Sequence, residues 1–149
     1  MTGTDVSTLQ IADGTTVGQI AALFEALAGH GFRGDIVWYG ADMCPSVTGF
    51  TSDYGTAAFR IGSTAMVVQL LRALEVPQLD FGVFIGLPAW IGAEAIPDDV
   101  SAEGPSRQRA PASAIEIAVF DDAVIEITAD DAALLAALRA QFGGTIVTT

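Results

Sequence analysis

The chain contains no lysine and no asparagine, and all six of its basic residues are arginines. Without lysine there is no Schiff-base nucleophile, no P-loop lysine and no lysine general base. The few basic residues also leave no phosphate-binding patch, so we expect no nucleic-acid ligand.

Cysteine and long apolar runs are equally scarce. The single cysteine, Cys44, excludes an internal disulfide and any zinc site built on paired cysteines. No apolar run approaches the roughly 20 residues that cross a membrane. The start, MTGTDVSTLQ, lacks the basic and apolar regions of a signal peptide. We therefore expect a cytoplasmic protein that does not act at a membrane.

The chain is instead rich in apolar and acidic residues. Over its 149 residues, 51% are hydrophobic and 16% are charged, which is typical of one globular domain spanning residues 1–149. There are 18 acidic residues against 6 basic, so the net charge is −12. Ten of the 18 acidic residues lie within 94–131, and this crowding favours a basic partner.

Periodicity predicts an α+β fold with a mixed, largely antiparallel sheet of about six or seven strands. Three helices should lie mainly on one face of this sheet. Thr16 and Ser63 are the predicted N-caps of the first two helices. The apolar run 79–88 predicts a central strand that is buried on both faces. The helices are predicted at 16–29, 63–75 and 130–142, and the other strands at 34–40, 55–62, 115–120, 124–128 and 145–149.

The pattern fails between residues 92 and 113, where three prolines interrupt any period. We expect a long irregular loop there, with one helical turn near 98–102. Loops of this length inside a domain are commonly functional or disordered. A second loop, at about 41–55, is rich in Pro, Ser, Thr and Gly.

The stretch IEIAVFDDAVIEIT predicts a hairpin whose register follows from its alternation. A three-residue loop, 121–123, places five apolar residues on one face and Glu116, Glu126 and Thr128 on the other. Glu116 and Glu126 should then face solvent. Thr128 is predicted to cap the last helix, with Asp131 at its third position. The five inward residues are Ile115, Ile117, Val119, Ile125 and Ile127.

A catalytic role for His30 and a cofactor-binding role for residues 29–34 each have a simple structural alternative. His30, the only histidine, could activate Cys44 or Ser46, but it lies in a glycine turn typical of a helix end. Residues 29–34 match G-x-G-x-x-G with the helix before the strand, which is the wrong order for a dinucleotide site.

The carboxylates of the hairpin could bind a hard cation or act as an acid–base pair. Turn and cap roles account for the four aspartates of this stretch but not for Glu116 and Glu126, for which a solvated acidic face is the favoured interpretation. EF-hand spacing is missing. We therefore predict no metal, cofactor or catalytic residue.

Two neighbouring aromatic residues, Trp38 and Tyr39, lie on one predicted strand and should point to opposite faces of the sheet. One of the two should consequently be the more exposed. Trp90 is assigned either to the core or to the rim of a pocket.

The segments DIVWYG, LDFGVFIGLPAW and IEIAVFDDAVIEITADD occur in the same order as elements of small bacterial α+β proteins. Over residues 34–142 the chain resembles proteins of this kind, some of which are immunity proteins for secreted toxins. The resemblance implies an acidic partner of a basic protein. It transfers no functional residue to this sequence, since it contains no diagnostic motif.

These observations predict a non-enzymatic acidic binding protein, of immunity or antitoxin type, with a basic protein as partner. Two alternatives remain: a small-molecule binder or enzyme with a pocket near the 41–55 loop, and a homo-oligomeric structural subunit. The predicted partner-binding residues are Glu116, Asp121, Asp122, Glu126, Asp98 and Asp99.

Overall fold

The computed structural model contains both strands and helices and describes residues 6–12, 16–32, 34–44, 58–73, 81–100, 102, 108–120 and 124–148. The strands are β1 (Ser7–Ala12), β2 (Ile36–Cys44), β3 (Phe59–Gly62), β4 (Phe81–Pro88), β5 (Ile115–Phe120), β6 (Val124–Ala129) and β7 (Thr145–Thr148). The helices are α1 (Val17–Gly29), α2 (Thr64–Ala73) and α3 (Ala132–Phe142), with a short 3₁₀ helix at Ala93–Ala95. No helix among the described residues is long and apolar enough to cross a membrane.

The described strands form one seven-stranded sheet in the order β3-β2-β4-β5-β6-β1-β7. The predicted α+β fold is confirmed, and every described pairing is antiparallel, so the sheet is not mixed. Strand β4 is internal, and Val83, Phe84 and Ile85 are fully buried, as its continuous apolar sequence predicts.

The predicted hairpin register is confirmed. Phe120 pairs with Val124, and Glu116 pairs with Thr128. The five predicted inward residues all belong to the core cluster beneath the helices. Residues 121–123, which include Asp121 and Asp122, lie outside the described residues.

The first two helices begin at the predicted caps. The Thr16 hydroxyl accepts from the Gln19 amide at 3.1 Å, and the Ser63 hydroxyl accepts from the Met66 amide at 3.2 Å. These bonds satisfy amides that have no partner within the first helical turn.

The predicted cap of α3 is wrong. Asp131, not Thr128, caps this helix by accepting from the Leu134 amide at 3.0 Å. Thr128 belongs to β6, because it pairs with Thr8 on one side and with Glu116 on the other. Because it is paired on both sides, the strand continues to Ala129, and the helix begins only at Ala132.

All three helices pack on one face of the sheet, as predicted. Phe24 of α1 makes edge-to-face contacts with Trp38 and Phe84, at ring-centroid distances of 4.8 and 5.2 Å. The Trp38 indole donates to the Thr64 hydroxyl at 2.9 Å. This aromatic group joins two helices to the centre of the sheet.

The opposite face is covered by the connection between β4 and β5. We call its residues 91–113 the covering segment, of which 91–100, 102 and 108–113 are described. Ile96, Ala102 and Ala110 are buried in a second apolar cluster. The predicted helical turn near 98–102 is not found at 98–100 or at 102, and residue 101 lies outside the described residues. The helical turn described in this segment is the 3₁₀ helix at 93–95.

This cover also explains the exposure of the paired aromatics. Trp38 and Tyr39 belong to different clusters on opposite faces, as predicted. Tyr39 is the more exposed of the two, at 6% against 0% for Trp38, but both are buried. The covering segment buries Tyr39 almost as fully as the helices bury Trp38.

Candidate functional site

Glu116 and Glu126 point away from the helices, as the register predicts, but they do not face solvent. They are 1% and 8% exposed. The prediction of a solvated acidic face is therefore wrong, because the covering segment folds over both side chains. A periodic pattern identifies the face on which a residue lies, and cannot identify an irregular segment that covers it.

The Glu116 carboxylate binds the covering segment through three donors. Its Oε1 accepts from the Arg109 backbone amide at 2.8 Å. Its Oε2 accepts from the Ala110 amide at 2.7 Å and from the Ser113 hydroxyl at 2.8 Å. Charge-assisted bonds of this kind are stronger than neutral ones, so one carboxylate fixes a non-helical turn against β5.

Glu126 is held by side chains from two distant parts of the chain. Gln10 of β1 donates to Glu126 Oε2 at 3.0 Å. The buried Arg109 guanidinium forms an ion pair with Glu126 Oε1 at 3.6 Å. Arg109 also donates to the Ala102 carbonyl at 3.1 Å. Arg109 thus links the covering segment to β6 and to its own earlier residues.

Two further contacts complete this polar layer. The Thr8 and Thr128 hydroxyls share a buried hydrogen bond of 2.8 Å. The Asp42 carboxylate accepts from the Ala102 amide at 2.9 Å, and Asp42 has a positive φ of 52°. Asp tolerates this left-handed conformation better than most residues. Its unusual backbone therefore occurs where β2 contacts the covering segment.

The bonding of these carboxylates indicates a structural role. Among the described residues, no buried side-chain nitrogen or oxygen lacks a hydrogen-bond partner. The same residues contain no group of three His, Cys, Asp or Glu side chains placed to hold a metal ion. With the covering segment in place, Glu116 and Glu126 are anchors for that segment and offer no surface to a partner.

The remaining predicted site residues occupy other positions. Asp98 and Asp99 lie on the covering segment and are exposed, as a docking role requires. Glu94, on the 3₁₀ helix, is exposed as well. Trp90, immediately before the covering segment, is 73% exposed, which excludes its assignment to the core. No sequence pattern marked Trp90 as a surface residue.

His30 and Cys44 lie at the ends of different elements. His30 is exposed and follows the last residue of α1, as its glycine turn predicts. Cys44 ends β2, and its side chain lies outside the described residues, as does Ser46. Residues 41–44 belong to β2, and the rest of the predicted 41–55 pocket loop also lies outside.

The surface of the described residues includes a cleft near His30 and another near Gln108. One, of about 300 Å³, lies between His30 and Asp131 and is otherwise lined by small or apolar residues. The other, of about 250 Å³, includes Gln108, Ser113 and Asp130. In the second cleft Gln108 and Ser113 bond to each other, and Ser113 also bonds to Glu116. These hydrogen bonds connect residues within the covering segment and join it to β5.

The chain matches no protein-family model, no curated protein and no solved structure. The resemblance to immunity proteins consequently stays a prediction. The exposed residues at the start of the covering segment and the charge of the chain are the grounds for a functional proposal.

Proposed function

We propose that this chain is a non-enzymatic acidic binding protein, and that its partner is a basic protein. The partner docks on what we call the Trp90 surface, formed by Trp90, Glu94, Asp98 and Asp99. The observation that carries this proposal is the 73% exposure of Trp90 on the same connection as three exposed carboxylates.

An exposed tryptophan supports docking because of what its burial contributes. Tryptophan is enriched among the residues that dominate the binding energy of protein interfaces. The connection that carries Trp90 is held at Ile91, which packs against the second cluster, and at Ile96, which is buried. An anchor on a supported connection loses less conformational entropy on binding than one on a mobile loop.

The three carboxylates give the surface its preference for a basic partner. Exposed charges of one sign speed association with an opposite charge and reject partners of like charge. The net charge of −12 acts in the same direction over a longer range. Asp121 and Asp122 stay in the proposal as secondary contacts, whereas Glu116 and Glu126 are withdrawn because they are buried.

A partner of this kind fits the immunity or antitoxin role that the resemblance implies. Such proteins neutralise a basic toxin by binding it, which requires no chemistry of their own. The single cysteine fits a reducing compartment, and we propose the cytoplasm.

Affinity purification from the native host, followed by mass spectrometry, tests the proposal when it is done with matched variants. We expect the wild-type chain to retain a basic protein and the Trp90→Ala variant to lose it. Met66→Ala is the control, since Met66 is a large apolar residue that is 49% exposed on α2. Equal retention by all three chains, or recovery of acidic proteins alone, would refute the Trp90 surface.

Binding kinetics with the recovered partner then test the charges. An Asp98→Asn/Asp99→Asn variant should bind more slowly than the wild type at low salt. The difference should shrink at high salt, because salt screens interactions between exposed charges. A change confined to the dissociation rate would contradict the steering role.

A further inference from the structure

The two ends of the sheet differ in how they are protected. Among the described strands, β3 lies at one end and β7 at the other, each paired on one side. Strand β3 carries the exposed Arg60, and its pairing with β2 shifts register between Trp38 and Tyr39. Charges and irregularities of this kind discourage pairing with another chain.

Strand β7 has neither protection. Its sequence, Thr-Ile-Val-Thr, has no charge and consists of residues with high strand propensity. It pairs with β1 in unbroken register over four residues, and Val147 is 36% exposed. An uncharged, regular edge is a template on which a further strand can pair.

The distribution of charge identifies what can approach this edge. Residues 132–149 contain no Asp or Glu and one basic residue, Arg139, so all 18 acidic residues lie before them. Two copies of a chain with a net charge of −12 repel each other over most of their surfaces. They meet least repulsion where both are uncharged. A basic partner finds no acidic side chain on β7 itself.

We infer that β7 pairs antiparallel with β7 of a second copy, about a two-fold axis, and joins two sheets into one. A two-fold axis places the same surface on both sides, which an antiparallel pair of identical strands satisfies. Side chains alternate along β7, so each residue meets one that points to the same face. Ile146 packs with the helix-side core, and its neighbour Val147 points to the other face.

This interface is separate from the Trp90 surface and is small. A four-residue strand is about 13 Å long, so the contact lies at the low end of specific interfaces. We therefore expect a reversible dimer that dissociates on dilution. Salt should strengthen it, because screening weakens the repulsion between the two acidic copies.

Sedimentation velocity of the full chain, from micromolar to millimolar concentration at low and high salt, tests the dimer. Val147→Lys should raise its dissociation constant several-fold, since two like charges then lie across one strand pair. Ala65→Lys, at an exposed position on α2, should leave it unchanged. A chain that stays monomeric throughout, or a dimer that Val147→Lys does not weaken, overturns the proposal.

Cross-linking gives a second measurement that does not depend on the lysine variant folding well. In a Cys44→Ser background, Val147→Cys should form a covalent dimer with a short bifunctional thiol reagent. Ala65→Cys in the same background should not. Equal cross-linking of the two variants would show random collision and would also refute pairing at β7.

Discussion

The two faces of the sheet are covered by different means. On one face, three helices with periodic sequences bury a large apolar cluster that includes Phe24, Trp38 and Phe84. On the other, an irregular segment buries a smaller cluster, and its own buried residues include two alanines, Ala102 and Ala110. The covering segment has little side-chain volume with which to fill space, so directional bonds hold it.

The difference predicts how each face responds to damage. Apolar burial is spread over many contacts, and losing one side chain costs a cavity. Where one buried acceptor bonds several donors, the stabilisation depends on a single side chain. Losing that side chain leaves all of its donors without partners. The helix-covered face should therefore lose stability as a whole, and the other face should fail locally at the covering segment.

Phe24→Ala should have the largest effect on stability. It removes a fully buried ring and both of its edge-to-face contacts. We expect the free energy of unfolding to fall by about 4 kcal/mol. Denaturant unfolding measures this, with Phe24→Leu as a milder control. A loss similar to that of an exposed substitution would show that the aromatic group does not organise the helix face.

Glu116→Ala should come next, at about 3 kcal/mol, because two amides and one hydroxyl lose their acceptor. Hydrogen exchange should distinguish it from Phe24→Ala. The amides of Arg109 and Ala110 should exchange faster, while those of β4 change less. Uniform acceleration across the sheet would mean that the covering segment does not open separately. The stability of Glu116→Gln should lie between that of the wild type and that of Glu116→Ala.

A smaller effect is expected for Thr128→Val, which leaves the buried Thr8 hydroxyl without its partner. The loss should be about 1 kcal/mol. The double variant Thr8→Val/Thr128→Val should recover part of it, since no unpaired hydroxyl is then left. A double-mutant cycle measured by denaturant unfolding checks this, and strictly additive losses would contradict the pairing.

Trp90→Ala should change stability least. The side chain is 73% exposed, and exposed substitutions typically shift stability within about 0.5 kcal/mol. Thermal unfolding measures the shift. A large loss would show that Trp90 supports the connection between β4 and the covering segment, and the loss of partner binding would then have a structural cause.

The two faces also differ in how well the sequence predicts them. Helix periods, the caps Thr16 and Ser63, and the hairpin register were predicted correctly, because each depends on neighbouring residues or on strict alternation. Strand β1 was not predicted, since its six residues place only Leu9 and Ile11 toward the helices. Its existence depends on pairing with β6 and β7, which are distant in sequence.

The position of the covering segment was not predicted from the sequence, and this segment buries Glu116 and Glu126 of the candidate site. Residues 92–113 have no period, so nothing local indicates that they fold over a sheet. No role was assigned to Arg109 from the sequence, although it is the ion-pair partner of Glu126. The sequence nevertheless contained one indication. Two glutamates on one face of a hairpin had no structural role assigned to them, which suggested that other groups of the chain bond to them.

The separations in sequence between Glu116 and its donors have a consequence for the order of folding. The donors lie three, six and seven residues before it, and a loop of about ten residues closes within about 10–100 ns. This turn can form before the sheet is complete. The Ala102–Asp42 bond spans 60 residues and the Gln10–Glu126 bond spans 116, and these contacts must wait for the slower assembly of distant strands. We therefore expect the turn at 109–116 to form early, and the remaining contacts of the covering segment to form once the sheet is assembled.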